Sequence, residues 1–163
     1  MRIIAGTHRG KKLVEYYADK TRPTTDRVKE NVFNLLSNLI DFHGIRVLDL
    51  FAGTGSYGIE CLSRGASYVH FNDHDVMAMN VIKKNIGQTW RNCCVTKKEF
   101  LAAIDGDYDL IFLDPPYGSN YGEQAIEAIK HGLIVFETDR EFRHEQIIDA
   151  RRYGRAWIYL IQK

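Results

Sequence analysis

The chain has little of what stabilises secreted, metal-binding or membrane proteins. It contains only three cysteines, two of them adjacent at Cys93 and Cys94, so it offers neither a disulfide framework nor the spacing of metal ligands. Its six histidines are scattered, and we predict no metal site. No apolar run approaches the roughly 18 residues that cross a membrane, and Met1-Arg2 does not open a signal peptide. These absences predict a cytoplasmic protein without metal or membrane association.

The composition fits one globular domain. Of the 163 residues, 45% are hydrophobic and 26% are charged, which is enough to bury one sizeable core. Neither repeats nor low-complexity tracts mark a boundary. We therefore predict a single domain over 1–163, with an N-terminal β-hairpin extension (1–22), a helix (23–42) and a catalytic core (43–163). We expect a monomer.

Proline is equally scarce, yet two of the three prolines stand together. Asp114-Pro115-Pro116-Tyr117 closes the apolar run 110–113, which is typical of a buried strand. Two prolines remove two N–H groups and fix two φ angles, so the strand must end there. The turn then offers a carboxylate and carbonyls to a group with two N–H donors, such as the exocyclic amine of a nucleobase, and a tyrosine ring for stacking. The alternative is an ordinary strand-ending turn.

A glycine-rich motif between a strand and a helix predicts a nucleotide cofactor. The apolar run 47–52 leads into Gly53-Thr54-Gly55-Ser56-Tyr57-Gly58, where glycines let the backbone turn tightly and approach a ligand. The next predicted strand, 68–72, ends at Asp73, and an acid there accepts both hydroxyls of a ribose. A nicotinamide dinucleotide satisfies this pattern equally well.

Asp49 distinguishes between the cofactors. It lies inside the strand, four residues before Gly53, where a dinucleotide-binding fold normally keeps an apolar side chain. A buried carboxylate is costly unless it is paired. The ammonium of the methionyl tail of S-adenosylmethionine (SAM) would pair it, directly or through water.

Periodicity predicts a doubly wound α/β fold. Helical stretches alternate with strands, as in a parallel sheet covered on both faces; the predicted strands lie near 45–50, 67–72, 92–96, 108–113 and 133–137. Residues 147–148 and 156–161 predict a final antiparallel hairpin, which a SAM-methyltransferase sheet has and a nicotinamide-binding domain lacks.

The N-terminal region predicts a hairpin and a helix in front of this sheet. Residues 2–4 and 12–14 flank a turn rich in glycine and basic residues, which indicates a small β-hairpin. Thr24 or Thr25 is placed to cap the helix that follows. Its predicted apolar face carries Val28, Val32, Leu35, Leu36 and Leu39.

Charge is distributed unevenly along the chain. The net charge of +1 combines +4 in residues 1–30, −6 in 31–139 and +3 in 140–163. Basic ends around an acidic body fit a surface that binds phosphate. Ordinary solvated charge is an equally good interpretation of these numbers alone.

Further motifs occur in the order seen in one enzyme family. They are Met1-Arg2-Ile3-Ile4-Ala5-Gly6, Arg9-Gly10-Lys11-Lys12-Leu13, the segment 22–33 that begins Arg-Pro-Thr-Thr, the segment 58–66, and Arg152-Tyr153-Gly154. With Asp-Leu-Phe-Ala-Gly-Thr-Gly at 49–55 and Asp-Pro-Pro-Tyr at 114–117, they resemble the bacterial guanine-N2 methyltransferases of small-subunit (16S) ribosomal RNA. The resemblance spans the chain and is weakest over 138–151.

The resemblance implies a SAM-dependent enzyme that methylates a guanine of small-subunit ribosomal RNA, free or in a partly assembled subunit. The predicted catalytic residues are Asp114, Pro115, Pro116 and Tyr117. The predicted cofactor-binding residues are Asp49, Phe51, Ala52, Gly53, Gly55, Asp73, Glu99 and Phe100, with a solvated charge as the alternative role of Glu99. The predicted RNA-binding residues are Arg2, Arg9, Lys11, Lys12 and Arg22.

Other functions stay open on the sequence. A nicotinamide-dependent oxidoreductase leaves Asp49 and Asp-Pro-Pro-Tyr unexplained, and a catalytically silent RNA-binding module leaves the intact Asp114 and glycines unexplained. Within methyltransferases the runner-up is a DNA adenine-N6 enzyme, since adenine also presents an exocyclic amine. Only the N-terminal hairpin and the Arg-Pro-Thr-Thr segment favour ribosomal RNA.

Overall fold

A computed structural model describes residues 1–16 and 25–163. The helices of this part are α1 (Asp26–Ser37), α2 (Ser56–Ser63), α3 (Val76–Ile86), α4 (Phe100–Ala103) and α5 (Tyr121–Ala128). The strands are β1 (Arg46–Asp49), β2 (Tyr68–Asn72), β3 (Cys93–Thr96), β4 (Leu110–Leu113), β5 (Leu133–Thr138), β6 (Ile147–Tyr153) and β7 (Ala156–Gln162). None of the helices described is long and apolar enough to cross a membrane.

The seven strands form one sheet in the order β3-β2-β1-β4-β5-β7-β6. Strands β1 to β5 pair in parallel, and β7 is inserted antiparallel between β5 and β6. From β1 the chain first adds β2 and β3 on one side and then β4 and β5 on the other, so the order of the strands reverses between β1 and β4. Open α/β sheets bind ligands at such a point. The predicted doubly wound sheet with a final antiparallel hairpin is confirmed.

The apolar runs become strands because both faces of the sheet are covered. All residues of β4 and β5 are buried. Neighbouring residues of β1 point to opposite layers: Val47 packs in the cluster that contains α1 and α2, and Leu48 in the cluster that contains α5. A strand buried on both faces is continuous in hydrophobicity rather than alternating, and that is why the strands were predictable.

Helix α1 differs from its prediction. Thr25 is its N-cap and accepts a hydrogen bond from Val28 N, whereas Thr24 lies outside the described residues. The helix ends at Ser37, five residues before the end of the predicted 23–42. The hydroxyl of Ser37 donates to Phe33 O at 2.8 Å. Leu39 was wrongly placed on the buried face, because it follows the end of the helix and is 50% exposed.

The predicted N-terminal hairpin is present, with little regular strand. Arg2 and Lys12 form a single antiparallel bridge, and further backbone bonds join Ile3 N to Lys11 O and Leu13 N to Met1 O. The hairpin lies against α2 so closely that a Cβ on Gly6 would be 1.9 Å from Ser63 O. Only glycine fits at that position.

A buried charge cluster of Lys29, Glu60 and Arg64 fastens the hairpin to α2. Glu60 is fully buried and accepts from the backbone N–H groups of Ile4 and Ala5 at 2.8 and 2.9 Å. Lys29 Nζ and Arg64 Nε each lie 3.0 Å from its carboxylate. The carboxylate thus has four donors, which is the condition under which a buried ion pair is tolerated.

Candidate active site

A cavity of about 670 Å³ opens at the carboxyl ends of β1, β2 and β4. Three of the predicted motifs meet there, namely the glycine loop, the acid after β2 and the Asp-Pro-Pro-Tyr turn. The described lining residues that were predicted as site residues are Phe51, Ala52, Gly53, Asp73, Glu99, Phe100, Asp114, Pro115, Pro116 and Tyr117. Asp49 and Gly55 are not among the described lining residues.

The glycine loop turns the chain from β1 into α2. Gly55 has a φ of 76° and stands at the N-cap of α2, a backbone conformation that side chains with a Cβ rarely adopt. Gly58 serves a different purpose, because a Cβ there would be 2.3 Å from the ring of Phe71. Gly53 and Gly55, which both have a positive φ, therefore shape the loop, and Gly58 lets α2 pack against β2.

Asp73 joins the glycine loop to the end of β2. Its carboxylate accepts from Gly53 N at 2.7 Å and from Asp75 N at 2.8 Å. Burial raises its pKa, while these two hydrogen bonds act in the opposite direction. Because a carboxylate has about four acceptor sites, it keeps acceptor capacity for hydroxyl groups in the cavity.

The side chain of Asp49 is held by a hydrogen bond from the start of α2. It is 3% exposed, and its carboxylate accepts from Gly58 N at 3.0 Å in the first turn of α2. Burial raises its pKa to about 7, and the nearby negative charge of Asp73 adds to the rise. The structure thus gives this carboxylate a partner of its own, and its predicted role toward the cofactor stays a prediction.

A polar network that the sequence did not predict positions the 97–99 segment. Asn72 holds both backbone groups of Lys98: its Oδ1 accepts from Lys98 N at 2.9 Å and its Nδ2 donates to Lys98 O at 3.1 Å. Thr96 donates to the same Oδ1, and His70 Nε2 lies 2.7 Å from the Thr96 hydroxyl. Because that hydroxyl has already used its one hydrogen, His70 must donate through Nε2. Its Nδ1 then accepts from the hydroxyl of Tyr108.

His70 can donate through one ring nitrogen and accept through the other because its ring is neutral. Burial lowers its pKa, and the charge of Lys98 lowers it further. The only signal in the sequence was the presence of polar residues in an apolar strand, which periodicity does not interpret.

Aromatic rings form one wall of the cavity. The ring centroids of Phe51 and Phe100 are 5.7 Å apart, and that of Tyr121 is 5.0 Å from Phe100 and 6.5 Å from Phe51. Tyr121 was not predicted, since it lies in a short helix after the Asp-Pro-Pro-Tyr turn. Glu99 is exposed beside this wall and caps no backbone group of α4.

Hydrogen bonds from Ser119 hold the Asp-Pro-Pro-Tyr turn in place. Pro116 O accepts from Ser119 N at 3.2 Å and from Ser119 Oγ at 2.7 Å. Arg140 donates to Ser119 O and to Glu123, both at 2.7 Å. Asp114 and Pro115 are the residues of the turn nearest to β4, and both line the cavity. Tyr117 is 38% exposed at the rim.

The base of the N-terminal hairpin also reaches the cavity. Met1, Glu15 and Tyr16 of the hairpin line it, together with Thr25 and Asp26 at the start of α1. The Tyr16 hydroxyl donates to Asp75 at 2.5 Å, which lowers the pKa of that carboxyl. Nothing in the sequence placed Tyr16 near the acids that follow β2, because 59 positions separate it from Asp75.

The tip of that hairpin lies at the opposite edge of the sheet. Thr7 N donates to Ser63 O, in the last turn of α2, which runs away from the cavity. Of the predicted RNA-binding residues, Arg2, Arg9 and Lys12 are exposed. Lys11 instead lies 4.9 Å from the centroid of the Trp90 ring and within 3.5 Å of Asn85 O. Arg22 lies outside the described residues.

The chain matches known proteins over its whole length. The sequence model of the family described as "Conserved hypothetical protein 95" matches residues 1–162. Ribosomal RNA small subunit methyltransferase D of Haemophilus influenzae is 39% identical over 158 residues, which cover 86% of this chain and 80% of that protein. The "Putative rRNA methyltransferase YlbH" of Bacillus subtilis is 38% identical over 160 residues, 86% of this chain and 84% of that one. The solved structure "Putative methyltransferase yhhF from Escherichia coli" superposes with a TM-score of 0.83 at 26% identity, over 100% of this chain and 97% of that chain.

The sheet order, the glycine loop and these relatives define the class of the protein as a SAM-dependent methyltransferase. The chain belongs to the Conserved hypothetical protein 95 family, and ribosomal RNA small subunit methyltransferase D is among the proteins to which it is similar. These relatives confirm the predicted cofactor, SAM. The cavity residues also fit SAM chemically, since they combine a carboxylate for ribose hydroxyls, backbone groups of a glycine loop and an aromatic wall.

Proposed function

We propose that this protein transfers a methyl group from SAM to the exocyclic N2 amine of a guanine in small-subunit ribosomal RNA. The observation that carries the proposal is that Asp114 and Pro115, which can supply a carboxylate and a carbonyl acceptor, line the same cavity as the glycine loop and Asp73. An amine with two N–H donors matches that pair. The names of the relatives support ribosomal RNA as the substrate, and the choice of guanine is supported by the family resemblance alone.

On the cofactor side, the chain supplies binding and orientation. Asp73 is held by Gly53 N and Asp75 N with acceptor capacity left for the ribose, and the Asn72 network fixes the segment beside the adenine. Phe51 and Phe100 provide the apolar surface. Bound SAM supplies an electrophilic methyl group on its sulfonium.

On the base side, the turn prepares a weak nucleophile. The lone pair of a guanine amine is delocalised into the ring. By accepting both N–H bonds, Asp114 and Pro115 favour a more tetrahedral nitrogen with its lone pair directed at the methyl group. As the new C–N bond forms and the C–S bond breaks, the nitrogen gives up one proton, which the Asp114 carboxylate would accept. Positioning and electrostatic preorganisation supply the rate.

Tyr117 is the platform for the target base. A base must leave its stack to reach a pocket of this kind, and an exposed tyrosine at the rim offers a ring on which it can stack. The brace from Ser119 to Pro116 holds the turn that carries this ring.

The test is a transfer assay with labelled SAM and unmethylated small-subunit ribosomal RNA, followed by mapping of the modified nucleotide. Asp114→Ala should lower the rate by about 100-fold or more, the usual effect of removing a group that stabilises the transition state. RNA affinity should stay nearly unchanged, since phosphate contacts dominate it.

Tyr117 supplies the matched comparison in the same assay. Tyr117→Ala should slow transfer, while Tyr117→Phe should be nearly neutral because stacking requires only the ring. Label on adenine N6 of DNA instead of RNA would favour the runner-up function. A fully active Asp114→Ala enzyme would contradict the proposed mechanism.

A further inference from the structure

The turn between β6 and β7 lies on the same edge of the sheet as the cavity. Strand β5 runs toward that edge, and its last residue, Thr138, pairs with Trp157 near the start of β7. On β6, Arg152 is the partner of Trp157. Since β7 is two strands from β4, and neighbouring strands are about 4.8 Å apart, the turn begins roughly 10 Å from the end of β4.

The turn carries two arginines that form no ion pair within residues 1–16 and 25–163. Arg152 lies over the ring of Trp157, 5.3 Å from its centroid, and its Nε donates to Gly154 O at 3.1 Å. Arg155 is exposed at the tip. Arg151 differs, because it is paired with Asp149 at 3.1 Å.

Lys98 also lines the cavity, but it follows β3, which lies three strands from β4, on the side of the cavity away from the turn. Arg140 is bound to Glu123 and Ser119, and the tip of the N-terminal hairpin lies against the end of α2 at the opposite edge. An arginine held over an aromatic ring beside an exposed second arginine combines phosphate binding with a stacking surface, the two features that bind single-stranded nucleic acid.

Building on the proposed function, we propose that the β6–β7 turn binds the RNA strand next to the target nucleotide. Arg155 and Arg152 contact phosphates, and the Arg152–Trp157 pair is the surface against which a neighbouring nucleotide packs. The target base then enters the pocket between this turn and Tyr117.

The experiment compares two double variants that remove the same charge. Arg152→Gln with Arg155→Gln changes the turn, and Lys130→Gln with Lys163→Gln changes the opposite edge of the same part of the sheet. Filter binding of unmethylated small-subunit ribosomal RNA across a salt series measures how many phosphates the protein neutralises. In the turn variant the log–log slope should flatten by about 0.7–0.9 for each phosphate that is no longer neutralised, and in the control it should stay unchanged.

Two further measurements separate binding from folding and from the cofactor site. Affinity for SAM, measured by calorimetry, should be the same in both double variants and in the wild type. Arg155→Lys should keep the wild-type slope, since lysine still binds phosphate as a point charge.

The outcomes distinguish this proposal from the proposed function. Equal slopes for the turn variant and the wild type, in a wild-type protein that methylates the RNA, would overturn the role of the turn and leave the function standing. A wild-type protein that neither binds nor methylates the RNA would overturn both.

Discussion

The raised pKa of Asp49 makes one contribution to how the free energy of unfolding changes with pH. Burial raises this pKa from its ordinary value of 3.8 to about 7 in the folded protein, so between these values the folded state binds a proton that the unfolded state has released. The stability that comes from this proton is fully present below about pH 4 and disappears as the pH rises through about 7.

Asp49→Asn should remove this dependence while keeping an oxygen that accepts from Gly58 N. The difference in unfolding free energy between variant and wild type should therefore grow from pH 4 to pH 7, by at most about 4 kcal/mol at about 1.4 kcal/mol for each pKa unit. Urea denaturation across this range measures it. Two stability profiles that run parallel would show that the carboxyl titrates normally.

Single residues of the site were predictable where their chemistry is local. Gly53, Asp73 and the Asp-Pro-Pro-Tyr turn line one cavity, because each follows closely after a strand whose carboxyl end faces it, and their predicted roles stay predictions. Tyr16 and Asn72 were missed. Their roles depend on partners brought together by the fold, Asp75 for Tyr16 and Lys98 for Asn72, and no spacing within the chain indicates such partners.

At the scale of elements, the buried charge cluster decides how firmly the N-terminal hairpin is attached. Lys29→Met would leave Glu60 with Arg64 and two backbone donors but without its fully buried cation. Removing one partner of a buried pair typically costs 3–5 kcal/mol. Because Arg64 remains, we expect destabilisation by about 3 kcal/mol in urea denaturation, with faster hydrogen exchange at Ile4 and Ala5. Lys84→Met, on the exposed face of α3, is the control and should change little; an equal effect in both would mean that the cluster contributes nothing specific.

The strands were easier to predict than the N-terminal elements. Each predicted core strand lies within two residues of an observed one, since continuous apolar runs mark strands covered on both faces. The end of α1 was not predictable from periodicity, because the apolar pattern continues to Leu39 after the helix has ended. Lys29, a charged residue in the buried face of α1, has no signal in the sequence since its partner is in another helix.

At the scale of the whole molecule, the N-terminal hairpin is predicted to bind RNA through Arg9 and Lys12. Both are exposed, whereas Lys11 lies over Trp90. Arg9→Gln with Lys12→Gln should weaken RNA binding and flatten its salt dependence by about 0.7–0.9 in log–log slope for each phosphate released, at an unchanged melting temperature. Lys11→Met should lower the stability by about 1 kcal/mol.

Thermal denaturation and filter binding of these variants decide between two roles for the hairpin. A salt slope that the double variant leaves unaltered would assign it a structural role only. The transfer rate at saturating RNA should be the same in the double variant and the wild type, since neither side chain lies near the cavity.

The attachment of the hairpin also has a consequence for the order of folding. The backbone of Ile4 and Ala5 is bonded to Glu60, 56 and 55 residues later in the chain, and that of Val14 to Asn85, 71 residues later. Pairings between residues so distant in sequence form slowly, because the chain gives up the entropy of closing a long loop before any interaction compensates for it. During synthesis the hairpin therefore has to wait for α2 and α3, and one wall of the cofactor cavity is completed only when this early segment has docked onto structure made much later.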